Sequence, residues 1–171
     1  MTDPLTGAFN RRQMERSLAM AIERRNRTNE PASLLLFDVD HFKRINDAFG
    51  HAVGDEALKR LVALISARAR TLDVLFRIGG EEFVLLLPAT RYAGAVAVAE
   101  HLRALVAGTE LLDVRRISIS IGVSELQRGE SAASWIADAD AAVYRAKQGG
   151  RNRVGMSSRI RLAPRVRLAR Q

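Results

Sequence analysis

Two short apolar runs, Val74 to Ile78 and Phe83 to Leu87, flank the tetrapeptide Gly79-Gly80-Glu81-Glu82. Apolar runs meeting at a Gly-Gly pair read as a β-hairpin, because glycine enters the backbone angles of a tight turn without steric cost. Around this antiparallel pair, strand and helix patterns alternate. Residues 10–27 read as a helix, with Met14, Leu18 and Ile22 at four-residue steps on one face. Ser33 to Phe37 is a strand-length apolar run ending in Asp38-Val39-Asp40, and a short helix, Phe42 to Phe49, follows. Gly50 and Gly54 are expected to bracket a turn before a helix over Asp55–Arg70, whose inner stripe is Leu58, Leu61, Val62 and Ile65. Residues 92–107 form a helix with Val98, Leu102, Leu105 and Val106 inward. Residues 117–123 alternate isoleucine and serine, the period-two pattern of a strand with one buried face. Ser134 to Lys147 is the last helix, ended by Gly149-Gly150. A hairpin excludes an all-parallel sheet, and the helices exclude an all-β fold. The expected class is α/β of the α+β kind, a mixed central sheet flanked by helices.

The 171 residues suit one domain. Residues 1–156 are expected to form it, with 157–171 as a basic, flexible tail. That tail supplies +5 of the formal +8 through Arg159, Arg161, Arg165, Arg167 and Arg170, leaving +3 for the rest. With aromatics at 5% and no binding motif, this distribution argues against a nucleic-acid partner. No cysteine is present, so disulfides and thiolate metal sites are excluded, which fits a cytoplasmic protein. No apolar run is long enough for a membrane span, and no membrane association is expected.

Acids at strand ends supply candidate chemistry. Asp38 and Asp40 stand two apart on a strand, so a regular strand would send both carboxylates to one face. Glu81 and Glu82 sit at the hairpin. Together they offer oxygen ligands to a hard cation such as magnesium, with substrate phosphates completing the shell. The competing reading is ordinary: each acid faces water, or Asp40 caps the helix starting near His41. The first N–H groups of that helix, near Phe42 and Lys43, can hold a phosphate. Lys147 and Arg151, four apart at a helix end, either complement the helix dipole or bind phosphates. Asn46 and Asp55 can bond a purine edge, an acid being suited to guanine's N1–H and amine.

These residues lie within blocks that resemble the GGDEF family of diguanylate cyclases. The central string is Arg77-Ile78-Gly79-Gly80-Glu81-Glu82-Phe83, the GGEEF variant of the family motif. Asp3-Pro4-Leu5-Thr6-Gly7 with Asn10-Arg11-Arg12 resembles the opening. Phe37 to Lys43, Ile45-Asn46-Asp47, Gly50-His51 and Gly54-Asp55 resemble the longest block. Ser120 to Val123, Ala139-Asp140 through Lys147, and Gly150 to Arg153 resemble the end. Six ordered blocks over residues 3–154 make chance agreement remote.

The resemblance implies a fold related to the palm of nucleotidyl cyclases and polymerases. It also implies condensation of two GTP into cyclic di-GMP, with two Mg2+ or Mn2+ ions per site. Asp38, the Val39 carbonyl, Glu81 and Glu82 would bind metal, and Glu81 would also activate the attacking 3′-hydroxyl. Phe42 and Lys43 would bind phosphates, Lys43 also stabilising the transition state, and Lys147 and Arg151 would hold the outer phosphates. Asn46 and Asp55 would read guanine, with His51 nearby and Gly79 and Gly80 letting the nucleotide approach the backbone. Each site holds one GTP, so the working enzyme would be a homodimer. An upstream sensor domain is expected in the full protein. The Arg70-Thr71-Leu72-Asp73 motif lies where the family binds its inhibitory product. His101 stands where many members have an arginine, so product binding should be weaker here. The alternative function is a catalytically weak module that binds GTP or cyclic di-GMP.

Overall fold

A computed structural model describes residues 1–113 and 115–159. Helix α1 spans Arg11–Thr28 and is capped by Asn10, whose side chain accepts from Gln13 N–H. It is followed by β1 (Ala32–Val39), α2 (Phe42–Phe49), α3 (His51–Ser66), β2 (Val74–Gly79) and β3 (Glu82–Pro88). Then come α4 (Tyr92–Gly108), β4 (Ile119–Glu125), α5 (Ala132–Gln148) and the two-residue β5 (Val154–Gly155). The sheet order is β2-β3-β1-β4-β5. β2–β3, β3–β1 and β1–β4 pair antiparallel, and only β4–β5 is parallel. The mixed sheet expected from the hairpin is therefore the one observed.

Helices cover both faces of the sheet, so all eight residues of central β1 are buried. Leu35, Phe37 and Val39 pack with Leu58, Leu61, Ile65, Ala99 and Leu102 on one side. Leu34 and Leu36 pack with Met14, Leu18, Trp135 and Val143 on the other. This two-sided burial corrects the reading of β4. Its alternating serines do not face water: Ser120 and Ser124 are fully buried under α5. Small residues there let the helix come close. A Cβ on Gly122 would lie 2.1 Å from the Ala139 carbonyl oxygen and 2.6 Å from Val143 N. The serine hydroxyls are satisfied by Asp40 and Asp138, so their burial leaves no unpaired hydroxyl.

Other expectations shift. α3 begins at His51 and ends at Ser66, so Gly54 lies inside the helix rather than in a turn, and Arg70 lies beyond the helix end. On α4 the buried face is Tyr92, Ala95, Ala99, Leu102 and Val106; Val98 is only partly buried. The alanines mark the close-packed face because small side chains fit against the sheet. Beyond residue 156, Ser157 is buried and donates to Asp138, while Arg159 pairs with Glu130 and Asp138. The first residues of the expected tail thus pack on the domain, and residues 160–171 lie outside the described residues. Among the described residues no helix is long and apolar enough to cross a membrane.

Candidate active site

The central strand delivers Asp38 and Val39 to one end of the sheet. The β2–β3 hairpin ends beside them, with Glu82 directly opposite Asp38 in the register. Glu81 occupies the turn, next to Gly80 at φ 31. Arg77 braces this turn: its Nε and Nη2 donate to the Gly80 carbonyl at 3.0 and 2.8 Å, and its Nη1 donates to Asp3 at 2.9 Å. Arg11 adds a bond from Nη2 to the Ile78 carbonyl at 3.2 Å. Burial works to raise the Asp3 carboxyl, but bonds from Arg77 and Thr6 outweigh it and hold Asp3 below the ordinary carboxylate range.

A cleft of about 160 Å³ opens at this end, lined by Asp38, Val39, Phe42, Lys43, Glu81, Lys147 and Arg151, with Asp40 and His41 between them. Eight residues singled out from sequence, Asp40 among them, thus share one space, although they come from β1 and the residue after it, α2, the hairpin turn, α5 and the turn after α5. Asp38 is 6% exposed. Its Oδ2 pairs with Lys147 Nζ, while its Oδ1 is enclosed without a partner. Burial pushes the Asp38 carboxyl up, the charges of Asp40 and Glu81 add to this, and Lys147 opposes it. An enclosed, unpaired carboxylate oxygen beside a second acid is a fitting ligand for a hard divalent cation. Among the described residues no three His, Cys, Asp or Glu side chains converge as a ready-made metal cage. A site completed by substrate oxygens does not need one.

His41, at φ 54, precedes α2 and makes no side-chain cap bond. The start of the helix is therefore left to backbone N–H groups, which favour an anion. Arg151 lies past the end of α5, at φ 63.

Not every singled-out residue lines the cleft. Glu82 is exposed and lies outside the lining, as do Gly79 and Gly80 at the hairpin. Asn46, His51 and Asp55 belong to the α2–α3 corner, with His51 and Asp55 exposed on the first turns of α3. Asp40 serves neither as helix cap nor as a free acid. It accepts from Ser118 Oγ at 2.7 Å, Ser120 Oγ at 2.6 Å and Asn152 N–H at 3.0 Å, tying β1 to β4 and to the turn that carries Arg151. That bracing, like the one by Arg77 and Asp3, was invisible in the sequence. Partners 74 or more positions apart leave no periodic signal.

Past the C-terminal end of α3, Arg70 and Asp73 are joined by a bond from Arg70 N–H to Asp73 Oδ2 at 2.8 Å. Together with Arg68 and His101 they line a second cleft of about 400 Å³ between α3 and α4. The two motif residues and His101, separate in sequence, thus share one surface.

A family model described as "Diguanylate cyclase, GGDEF domain" matches residues 1–153. The chain is 40% identical over 160 residues to the response regulator PleD of Caulobacter vibrioides, an alignment covering 90% of this chain and 35% of PleD. The chain thus spans about a third of that relative. The GGDEF domain of DgcB from Caulobacter crescentus, solved in complex with c-di-GMP, superposes with a TM-score of 0.87 at 32% identity, covering 92% of this chain and 93% of that one. An active GGEEF domain of a diguanylate cyclase from Vibrio cholerae gives a TM-score of 0.83 at 35% identity, covering 90% and 98%.

Proposed function

The chain belongs to the GGDEF family of diguanylate cyclase domains, and from that premise we propose that it condenses two GTP molecules into cyclic di-GMP, releasing pyrophosphate. The observation that carries this reading is the single cleft in which Asp38 and Glu81 face the uncapped start of α2 and the cations Lys147 and Arg151. Acids and cations sharing so small a space suit a phosphorylated substrate.

Asp38, the Val39 carbonyl, Glu81 and Glu82 would hold two Mg2+ or Mn2+ ions, which when bound neutralise phosphate charge and acidify the attacking hydroxyl. Glu81 takes the proton of the 3′-hydroxyl as that oxygen attacks the α-phosphorus of the other GTP. The bond from the α-phosphorus to pyrophosphate breaks in the same exchange. The N–H groups opening α2, at Phe42 and Lys43, hold the phosphates, and the Lys43 ammonium stabilises the charge that builds at the transition state. Lys147 and Arg151 supply positive charge for the outer phosphates. Asn46 and Asp55, with His51 nearby, read the guanine, and Gly79 and Gly80 keep the hairpin open to the nucleotide. Each of two domains contributes one GTP, so the active form is a symmetric homodimer with the two clefts face to face. The relative that the chain matches is about three times longer, and an upstream sensor domain would bring the two clefts together.

The test is incubation of the purified chain with GTP and magnesium, with products separated and identified. Cyclic di-GMP and two pyrophosphates per cycle are expected, at a rate per mole that rises with protein concentration. A rate per mole that stays constant on dilution would contradict the dimer. Tight GTP binding with no cyclic product at any concentration would favour a binding module instead.

The cleft shared by Arg70, Asp73 and His101 suits the guanine of the product. An arginine stacks on and donates to a purine, and an aspartate accepts from its Watson–Crick edge. Arg70→Ala is expected to weaken cyclic di-GMP binding by roughly tenfold or more, from loss of a charge-assisted contact. His101→Arg is expected to tighten it. Calorimetric titration decides both, and unchanged affinity in Arg70→Ala would place any product site elsewhere.

A further inference from the structure

Gly54 has an ordinary helical backbone, since its φ is not among the positive values found at Gly7, Gly50, Gly80, Gly129 and Gly150. Nothing in the chain's local conformation calls for glycine there. Within a helix, glycine is less favourable than alanine. The position is constrained instead by what lies beside it. A Cβ built on Gly54 would stand 1.9 Å from Asn46 Oδ1, 3.0 Å from Asn46 Cγ and 3.2 Å from Phe42 Cζ. Both neighbours are side chains of α2, and the proposed function assigns that of Asn46 to the substrate.

Asn46 Oδ1 is enclosed and has no hydrogen-bond partner, although the residue as a whole is only partly buried. The amide oxygen is thus lodged against Gly54, which leaves the NH2 as the end able to meet a ligand. An amide's orientation matters for base recognition because its two ends are a donor and an acceptor. A methyl group at position 54 would fill the recess and turn the amide out of it. Asp55 follows in the same helical turn, so the recess also sets the spacing between the two groups that face the base.

We propose that Gly54 is a specificity-determining positioning residue. Its missing side chain forms the recess that seats the Asn46 amide, and so decides which end Asn46 offers to the base. This rests on the guanine role of Asn46 proposed above. The same absence of a side chain leaves Phe42, at the start of the phosphate-binding helix, its place.

The experiment measures binding of the α,β-methylene analogues of GTP and ATP, which lack the scissile bond, to the full chain in magnesium buffer. The proteins are wild type, Asn46→Ala, Gly54→Ala and the double variant, each with its melting temperature. Gly54→Ala is expected to weaken the guanine analogue about tenfold, to move the adenine analogue by less than about twofold, and to leave the melting temperature unchanged or higher. In the Asn46→Ala background, Gly54→Ala is expected to add nothing, because there is no amide left to displace. An equal loss in that background would overturn the proposal, as would unchanged affinity in Gly54→Ala beside a clear loss in Asn46→Ala. Unchanged affinity in Asn46→Ala alone would overturn the guanine role of Asn46, and this inference with it. Should Gly54→Ala melt well below wild type, the double variant decides. Recovery of its melting temperature supports the recess as the seat of Asn46, and failure to recover overturns it.

Discussion

Glu81→Gln is expected to lower the rate of cyclic di-GMP formation by a factor on the order of 100 or more, with the fold intact. The substitution keeps the size and shape of the side chain and removes its negative charge. Glutamine cannot accept the proton of the 3′-hydroxyl and is a weaker ligand for a hard cation, so it loses both parts assigned to Glu81. Stability should barely change. Glu81 lies in the hairpin turn, and the turn is held instead by Arg77, which donates to the Gly80 carbonyl and to Asp3. The measurement is the rate at saturating GTP beside the melting temperature. Wild-type turnover in Glu81→Gln would remove the residue from the chemistry. A melting temperature far below wild type would show that Glu81 holds the hairpin as well.

A large loss of stability is expected from Gly122→Ala, about 3 kcal/mol, at the upper end for overpacking a core. The added methyl would meet the Ala139 carbonyl oxygen at 2.1 Å and Val143 N at 2.6 Å. Both atoms are backbone of α5, so relief requires moving the whole helix from the sheet rather than turning a side chain. For a domain of this size that corresponds to a fall of roughly 6–12 °C in melting temperature. Turnover should fall too, because α5 carries Lys147 into the cleft. Urea denaturation checks the prediction, with a lower midpoint and an unchanged slope. A midpoint within error of wild type would mean that α5 can shift freely. The contrast with Gly54→Ala is instructive. There the obstructing atoms are the ends of flexible side chains, so the methyl should cost binding and not stability.

Local pattern was enough for much of the architecture. The Gly79-Gly80 hairpin forced an antiparallel pair, the interleaved helices forced layers on a sheet, and α2 has the bounds that its sequence pattern indicates. Two local readings failed for one reason. The serines of β4 read as a wet face, and Gly54 read as a turn. In both cases a small residue was marking the close approach of another element, α5 against Gly122 and Asn46 against Gly54. A small side chain looks the same in sequence whether it faces water or a neighbour's backbone, and only the packed fold separates the two.

By itself, the sequence determined the residue types that carry the chemistry and the elements that bear them. An acid's ligand strength, a lysine's charge and a glycine's turn are properties of single residues and short windows. Tertiary structure alone decided which of them meet. It brought Asp38, Glu81, Lys43, Lys147 and Arg151 from five segments into one cleft, left Glu82 outside the lining, and took Asp40 out of the candidate acids by giving it three hydrogen bonds. It also enclosed one oxygen of Asp38 without a partner. Burial, distance and hydrogen-bond satisfaction arise from contacts between segments far apart in the chain, and no window of sequence contains them.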